Sequence, residues 1–398
     1  MRVSTISTFL SGLRSMQNLQ SSLDQTQRQI SSGRRLLVPS DDPIAAGRAL
    51  ELRESVSRLE QFDRNAGIAQ NRLSQEEVAL KSVNDVLQRV RELALQANNA
   101  TQSDETRSLI AVELRDRLDY LVQIANQRDG NGQYLFSGNL GDVEPVSRSG
   151  STFTYNGDQG QRLIQIGEGR QVADGDSGAD VFFQIRAGNG DFSARAVATN
   201  AGTGILDLGS VVDPTAWDQD SYTVRFLAAD SYEVVDSSGG VVLTSAFQPG
   251  DQIAFRGIEF SISGQPATGD EFTVAPAPYQ DMFTSVERLI AAVETTTFDD
   301  ASRTALTNGI NAGLQDLDEA IGSVLDFRTR VGSRLSSIES QVDTNGGLTL
   351  ALQTTLSSIE DLDYAEALSR LSLQVTTLEA AQQSFVRTQQ LSLFNFIR

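Results

Sequence analysis

Apolar residues recur at every seventh position near both ends of this 398-residue chain, and that pattern restricts the fold more than any other feature. Near the N-terminus Phe9, Met16, Leu23 and Ile30 form one line, with Ile6 and Leu13 on the line beside it. Near the C-terminus Tyr364, Leu371, Leu378 and Phe385 do the same, flanked by Leu368 and Val375. Each end is predicted to be a long helix with a single apolar seam, built to meet another helix. More than 300 residues separate the two seams, so the N-terminal one is expected to pack on its C-terminal counterpart or on copies of itself. That arrangement points to assembly rather than catalysis.

Composition removes many alternatives. A length of 398 residues is enough for two or three domains with real cores, a 39% hydrophobic content is that of a folded protein, and a formal net charge of -20 opposes binding to nucleic acid or anionic membrane. Cysteine and histidine are both absent, which excludes disulfides, thiolate metal sites, Ser-His-Asp triads and Cys-His nucleophiles. No cofactor and no metal is expected. No apolar run reaches membrane-spanning length, so no membrane insertion is expected, and Met1–Leu10 lacks the charged and apolar regions of an ordinary secretory signal.

The chain reads as helix from about Thr5 to Ser32, with Gly33 placed for a left-handed C-terminal cap and Leu36 for its apolar contact. Pro39 forbids continuation. Helix restarts at Ser40-Asp41-Asp42-Pro43, where a carboxylate can accept from free backbone N–H groups and proline at the first helical position loses nothing. A long rod-like helix follows, with Ile44, Leu52, Val56, Leu59, Ile68, Leu73, Leu80, Val83, Val86, Val90 and Leu93 on its apolar stripe. After a break at Asn98–Thr101, a third helix carries Leu114, Leu118, Leu121 and Ala125 on one face and stops by Asp129-Gly130-Asn131-Gly132.

Beyond it the period becomes alternating. Phe153–Tyr155, Leu163–Ile166, Val181–Ile185, Tyr222–Phe226, Ile258–Ile262 and Phe272–Val274 read as strands, with glycine-rich turns between them. Helix is expected again from Tyr279, interrupted near Thr295–Asp300, with Ile310, Leu314, Leu317, Ile321, Val324, Val331, Leu335 and Ile338 buried. Asn345-Gly346-Gly347 is expected to be a hinge. Asp363 and Glu366 suggest a capping box for a last helix reaching Leu391 and Phe394. The fold class is α+β, a long helical rod with an inserted all-β, sandwich-like domain. Its expected parts are 1–42, 43–139, 140–277 (the β insertion), 278–347 and 348–398.

Motifs for chemistry are weak. Adjacent Asp41 and Asp42 at a helix start do not face each other as an acid-base pair would. Asp174-Gly175-Asp176 begins like a calcium loop, but its twelfth position is Ile185 instead of an acid. Asp176-Ser177-Gly178 has no second copy with which to share a proton. Lys81, the only lysine, reads as a solvated helix-face charge.

Particular strings then carry a resemblance. Ile30-Ser31-Ser32-Gly33-Arg34-Arg35 followed by Pro39-Ser40-Asp41-Asp42-Pro43 resembles the N-terminal signature of the bacterial flagellin superfamily. Pro43 is similar to the hook-associated protein 3 branch, as are the run Asp129 to Gly138, Ala380 to Phe385, and the ending Leu391 to Phe396. The resemblance implies export through the flagellar type III channel and an extracellular place at the hook-filament junction. It implies as partners adjacent copies of itself, hook-associated protein 1, flagellin, and an export chaperone on the C-terminal helix. The alternative within the superfamily is a minor flagellin. A third reading, an enzyme using Asp174 and Asp176, rests on those carboxylates alone.

Overall fold

The computed structural model describes residues 5–394, except for the side chains of residues 5, 6, 8 and 388–394. Its contacts divide into two compact units, Met1–Arg64 with Gln341–Arg398, and Asn65–Ser340. Helices form at α1 (Thr5–Ser32), α2 (Pro43–Ala97), α3 (Asp104–Ala125), α4 (Met282–Val293), α5 (Asp300–Glu360) and α6 (Tyr364–Phe394).

The starts and stops follow the expected chemistry. Gly33 adopts φ +69° and its N–H donates to the Gln29 carbonyl, closing α1. Asp42 caps α2 by accepting from the Ala45 N–H at 3.0 Å, and the Ser103 hydroxyl accepts from Thr106 N–H at the start of α3.

In the larger unit α2 and α5 carry complementary seams. The buried positions on α2 include Ala66, Ala69, Leu73, Glu76, Leu80, Val83, Leu87, Val90, Ala94 and Ala97, spaced alternately by three and four, with Ala79, Val86 and Leu93 buried beside that line. On α5 the matching set runs through Leu306, Ile310, Leu317, Ala320, Val324, Phe327, Val331 and Ile338. The helices are antiparallel: Glu77 meets Arg328 at 2.7 Å, Asp318 meets Arg91 at 2.7 Å, and Asn311 meets Asn98 at 3.2 Å. Two stripe residues expected inside are outside. Ile44 is 74% and Ile68 is 56% exposed, because alanines 66 and 69 hold the seam beside Ile68 and Ile44 lies in the first turn of α2.

The segment 140–277 has two parts. Strands β1 (Val146–Ser149), β2 (Thr152–Tyr155), β3 (Leu163–Gly167) and β4 (Arg170–Ala173) form two hairpins, β1 with β2 and β3 with β4. Phe153 stacks on Phe283 of α4 at 5.2 Å, so the first hairpin shares the helices' core. The short β5 (Ile185–Arg186) pairs with β15 (Tyr279–Gln280). The sandwich proper contains β6 (Phe192–Ala196), β7 (Ile205–Leu206), β8 (Ser210–Val211), β9 (Tyr222–Ala228), β10 (Ser231–Asp236), β11 (Val241–Ala246), β12 (Gln252–Phe255), β13 (Ile258–Ser263) and β14 (Glu271–Pro276). One sheet has the order β11-β10-β9-β14-β6 and the other β12-β13-β7, with β8 also on β13. Phe192, Val224, Phe226, Phe260, Ile262 and Phe272 fill the space between them.

Two expectations are corrected. Of the expected strand Val181–Ile185 only Ile185 is in one, at the start of β5: Ala179–Phe183 is a π-helical turn, with Phe182 edge-on to Phe136 at 5.0 Å and packed on Phe283. A short buried apolar run carries no usable period, so its sequence could not choose between the two. Asn345-Gly346-Gly347 is not a hinge, since α5 runs through it unbroken. Asn345 is buried and donates to Asp63 Oδ1 at 3.0 Å, which holds that turn in place despite the two glycines. The chain bends instead at Asp361–Asp363.

Gly346 and Gly347 are exposed, and a Cβ at either would meet nothing within 4 Å. Gly346→Ala and Gly347→Ala are each expected to stabilise the protein by about 0.5–1 kcal/mol, read by thermal unfolding. A destabilisation by either would restore the hinge.

Candidate assembly surface

In the smaller unit α1 packs on α6. Phe9 lies against Phe385 with ring centroids 5.2 Å apart. The inward positions of α1 include Gly12, Met16, Leu19, Leu23, Thr26 and Ile30, with Gly33 just past its end, and those of α6 are Ala367, Leu371, Gln374, Leu378, Ala381 and Phe385, all buried or partly buried. Met16, Leu23, Ile30, Leu371, Leu378 and Phe385 therefore lie where the heptads put them. Their second line is not the predicted one: Leu13, Leu368 and Val375 are exposed, and Leu19, Ala367 and Ala381 take the inward places. The small residues were passed over because a reading that follows large apolar side chains does not register glycine or alanine as part of a seam. Leu10, Leu373 and Val386 are exposed as well. The side chains of Ile6, Leu391 and Phe394 lie outside the described residues, as does all of Phe396.

The turn after α1 is tied to the turn before α6. Arg34 and Asp361 form an antiparallel bridge, Leu362 N–H donates to the Gly33 carbonyl at 3.0 Å, and Arg35 N–H donates to the Glu360 carbonyl at 2.7 Å. The Arg35 guanidinium adds bonds to the Ile359 carbonyl at 2.8 and 3.0 Å, and Arg53 pairs with Glu360 at 2.6 Å. Asp41 and Asp42 serve different ends. Asp41 Oδ2 accepts from the N–H groups of Leu37 and Val38 at 3.1 Å, and Oδ1 from Gln25, bracing the loop, while Asp42 caps the helix that Pro43 opens. Asp363 caps α6 by accepting from the N–H groups of Ala365 and Glu366. The box is half made, since the Glu366 carboxylate pairs with Arg370 one turn along. A cleft of about 410 Å³, walled by Leu36, Val38, Pro39 and Leu50, opens on this turn.

The larger unit holds a buried charged cluster that single-residue reading missed. Asp174 and Asp176 lie in a loop, as expected, but both are buried. Arg334 of α5 grips both oxygens of Asp176 at 2.8 and 2.9 Å, and Gln161 donates to Asp176 at 2.8 Å. Arg162 holds Asp174, and Arg72 of α2 lies 3.8 Å from it. Arg72 also pairs with Asp129 at 2.8 Å and donates to the carbonyls of Tyr134 and Leu135. Glu76, 1% exposed on the inner face of α2, accepts from the Asp176 N–H at 3.1 Å, and its second oxygen has no partner. Burial, and then the nearby Asp176 charge, push the Glu76 carboxyl well above the usual carboxylate range, against the opposing pull of Arg334. Glu76 and Arg334 stand at seam positions of their helices, a polar break in an apolar heptad that the sequence did display. Every one of these acids is already engaged by arginine or backbone, which is the chemistry of a structural tie. Lys81 is exposed. Among the described residues no cluster of acids is arranged to hold a metal ion.

Comparison with known proteins agrees with this geometry. The bacterial flagellin N-terminal helical region matches residues 3–140, and the bacterial flagellin C-terminal helical region matches residues 314–397. Flagellar hook-associated protein 3 of Salmonella typhimurium is 24% identical over the whole of both chains. The crystal structure of Xanthomonas campestris FlgL is 36% identical with a TM-score of 0.72, covering 77% of this chain and 99% of that one. Flagellar hook-associated protein 3 of Legionella pneumophila is 31% identical with a TM-score of 0.75, covering 77% and 98%.

Two variants test the charged cluster. Below the ordinary carboxylate range Glu76 is protonated in both folded and unfolded chains and has no net effect. As pH rises toward its elevated folded pKa the unfolded chain ionises first, so Glu76 costs stability at neutral pH. Glu76→Gln keeps the accepting oxygen and is expected to raise the unfolding temperature at about pH 7–8 but not at about pH 4. Arg334→Ala leaves Asp176 buried and unpaired and is expected to cost about 3–5 kcal/mol in denaturant unfolding.

Proposed function

Because the chain belongs to the bacterial flagellin superfamily, on its hook-associated protein 3 branch, we propose that it is a structural junction protein of the bacterial flagellum. It forms a short tubular layer that joins the hook-associated protein 1 zone to the flagellin filament. The observation that carries this reading is the α1–α6 pair, whose seam leaves further apolar side chains exposed: Leu10 and Leu13 on α1, and Leu368, Val375 and Val386 along one line of α6. A monomer gains nothing from that exposure, whereas neighbouring copies in a tube wall would cover it.

In this reading residues 1–42 and 348–398 build the inner tube, 43–139 and 278–347 the next shell, and 140–277 the outer face. The subunit leaves the cytoplasm through the flagellar type III apparatus, with a chaperone covering the C-terminal seam until α1 and its neighbours replace it. The similar proteins are structural components of the flagellum, and no catalytic role is proposed for Asp174 or Asp176. End-to-end similarity to a hook-associated protein 3 supports a junction layer over a minor filament subunit.

Microscopy of cells lacking the gene, with an assay for flagellin in the medium, tests the reading. Bare hooks and shed flagellin are expected, and attached filaments would sink it. Leu378→Asp and Phe385→Asp are each expected to abolish incorporation while the β sandwich stays folded.

A further inference from the structure

We propose that Gly12 and Phe385 set the register in which the two terminal helices pair, and that this register decides whether the subunit is incorporated. The second half rests on the junction reading.

Gly12 stands in the interior of α1, where glycine weakens a helix. Several other helical glycines, including Gly47, Gly322, Gly332, Gly346 and Gly347, have open space where a Cβ would go. At Gly12 a Cβ would come within 3.1 Å of Phe385 Cδ2 and 3.3 Å of Cε2. Phe385 is thus a knob seated over Gly12, with the Phe9 ring against its side. The opposite end repeats the device: a Cβ at Gly33 would stand 2.9 Å from the Tyr364 hydroxyl oxygen. Gly12 and Gly33 are three heptads apart, and so are Tyr364 and Phe385.

The spacing matters because a heptad seam is degenerate. Sliding the antiparallel helices by one heptad still places apolar residues on apolar residues, so Met16, Leu23, Leu371 and Leu378 cannot select one alignment. The two notches can. A one-heptad slide would bring Phe385 to the level of Leu19 in one direction or of Thr5, the first residue of α1, in the other, and would take Tyr364 off Gly33. Gly33 needs its glycine for φ +69° in any case, so Gly12 is the position at which the ring contact is the sole demand.

The chain has no cysteine, so introduced thiols are unique reporters. Counting one heptad along each antiparallel helix from the Gly12–Phe385 contact, toward the Gly33–Tyr364 contact, brings Leu19 to the level of Leu378. The full-length protein carrying Leu19→Cys and Leu378→Cys is expected to cross-link on mild oxidation, and one carrying Leu19→Cys and Leu371→Cys is not. Adding Gly12→Leu is expected to cut the first cross-link several-fold, although it raises the helix propensity of α1. Adding Phe385→Ala to Gly12→Leu is expected to restore it, because the new leucine occupies the space the ring leaves. An undiminished cross-link in Gly12→Leu would overturn the proposal. So would a loss that Phe385→Ala fails to restore when Phe385→Ala alone cross-links normally. Filament attachment in cells is expected to follow the same pattern of loss and rescue, and attachment indifferent to a register change would overturn the second half of the proposal. The strain lacking the gene tests the junction reading separately, since the cross-links are read on purified protein.

Discussion

Antiparallel pairing of helices drawn from opposite halves of the chain is the constraint on which the rest of the structure depends. In the smaller unit α1 meets α6, and in the larger one α2 meets α5. Each pair must be closed by all the chain between its members. Because closure entropy grows only with the logarithm of loop length, an intervening segment can be long at little additional cost. The sandwich between β6 and β14 has its own aromatic core within the larger unit. Asp316 of α5 anchors it, accepting two bonds from Arg195 and one from the Gly188 N–H.

Arginine does the work at the points where elements distant in sequence converge. Arg72 reaches Asp129 and two backbone carbonyls, Arg334 takes both oxygens of Asp176, and Arg195 takes both oxygens of Asp316. A planar guanidinium can satisfy such a carboxylate completely, whereas an ammonium cannot, and only a satisfied carboxylate is tolerable at these depths. This gives a physical use for arginine in a chain with a single lysine. It also explains the run from Asp129 to Gly138 on which the resemblance partly rested. Asp129 turns the chain by accepting from the N–H groups of Asn131 and Gln133, Arg72 fixes Tyr134 and Leu135, and Phe136 enters the core beside Phe182.

Much of the architecture was legible wherever one physical signal dominated. The bounds of α1, the break after Ala97, the caps at Asp42 and Asp363, and the strands at Tyr222, Ile258 and Phe272 follow from capping chemistry and period alone. Legibility failed where signals competed. Gly346-Gly347 reads locally as a hinge, yet Asn345 bonded to Asp63 keeps α5 intact. Val181–Ile185 reads as a strand, yet packing against Phe136 and Phe283 winds Val181–Phe183 into a π turn. Several other strands, among them β6, β10 and β11, lacked an alternation strong enough to stand out.

By itself the sequence determined that the ends are seam-bearing helices, that a β segment interrupts the helical ones, and that thiol and imidazole chemistry are absent, because these depend on local period and on residue types present or missing. The tertiary structure alone decided which faces meet. Leu13 and Leu368 are as apolar as Leu19 and Leu371, yet in the packed pair the first two are exposed and the second two are partly buried. The same holds for Glu76, Asp174 and Asp176, which look like surface acids until the convergence of α2, α5 and a loop buries them among arginines. Burial is a property of the whole packed molecule, and no window of sequence contains it.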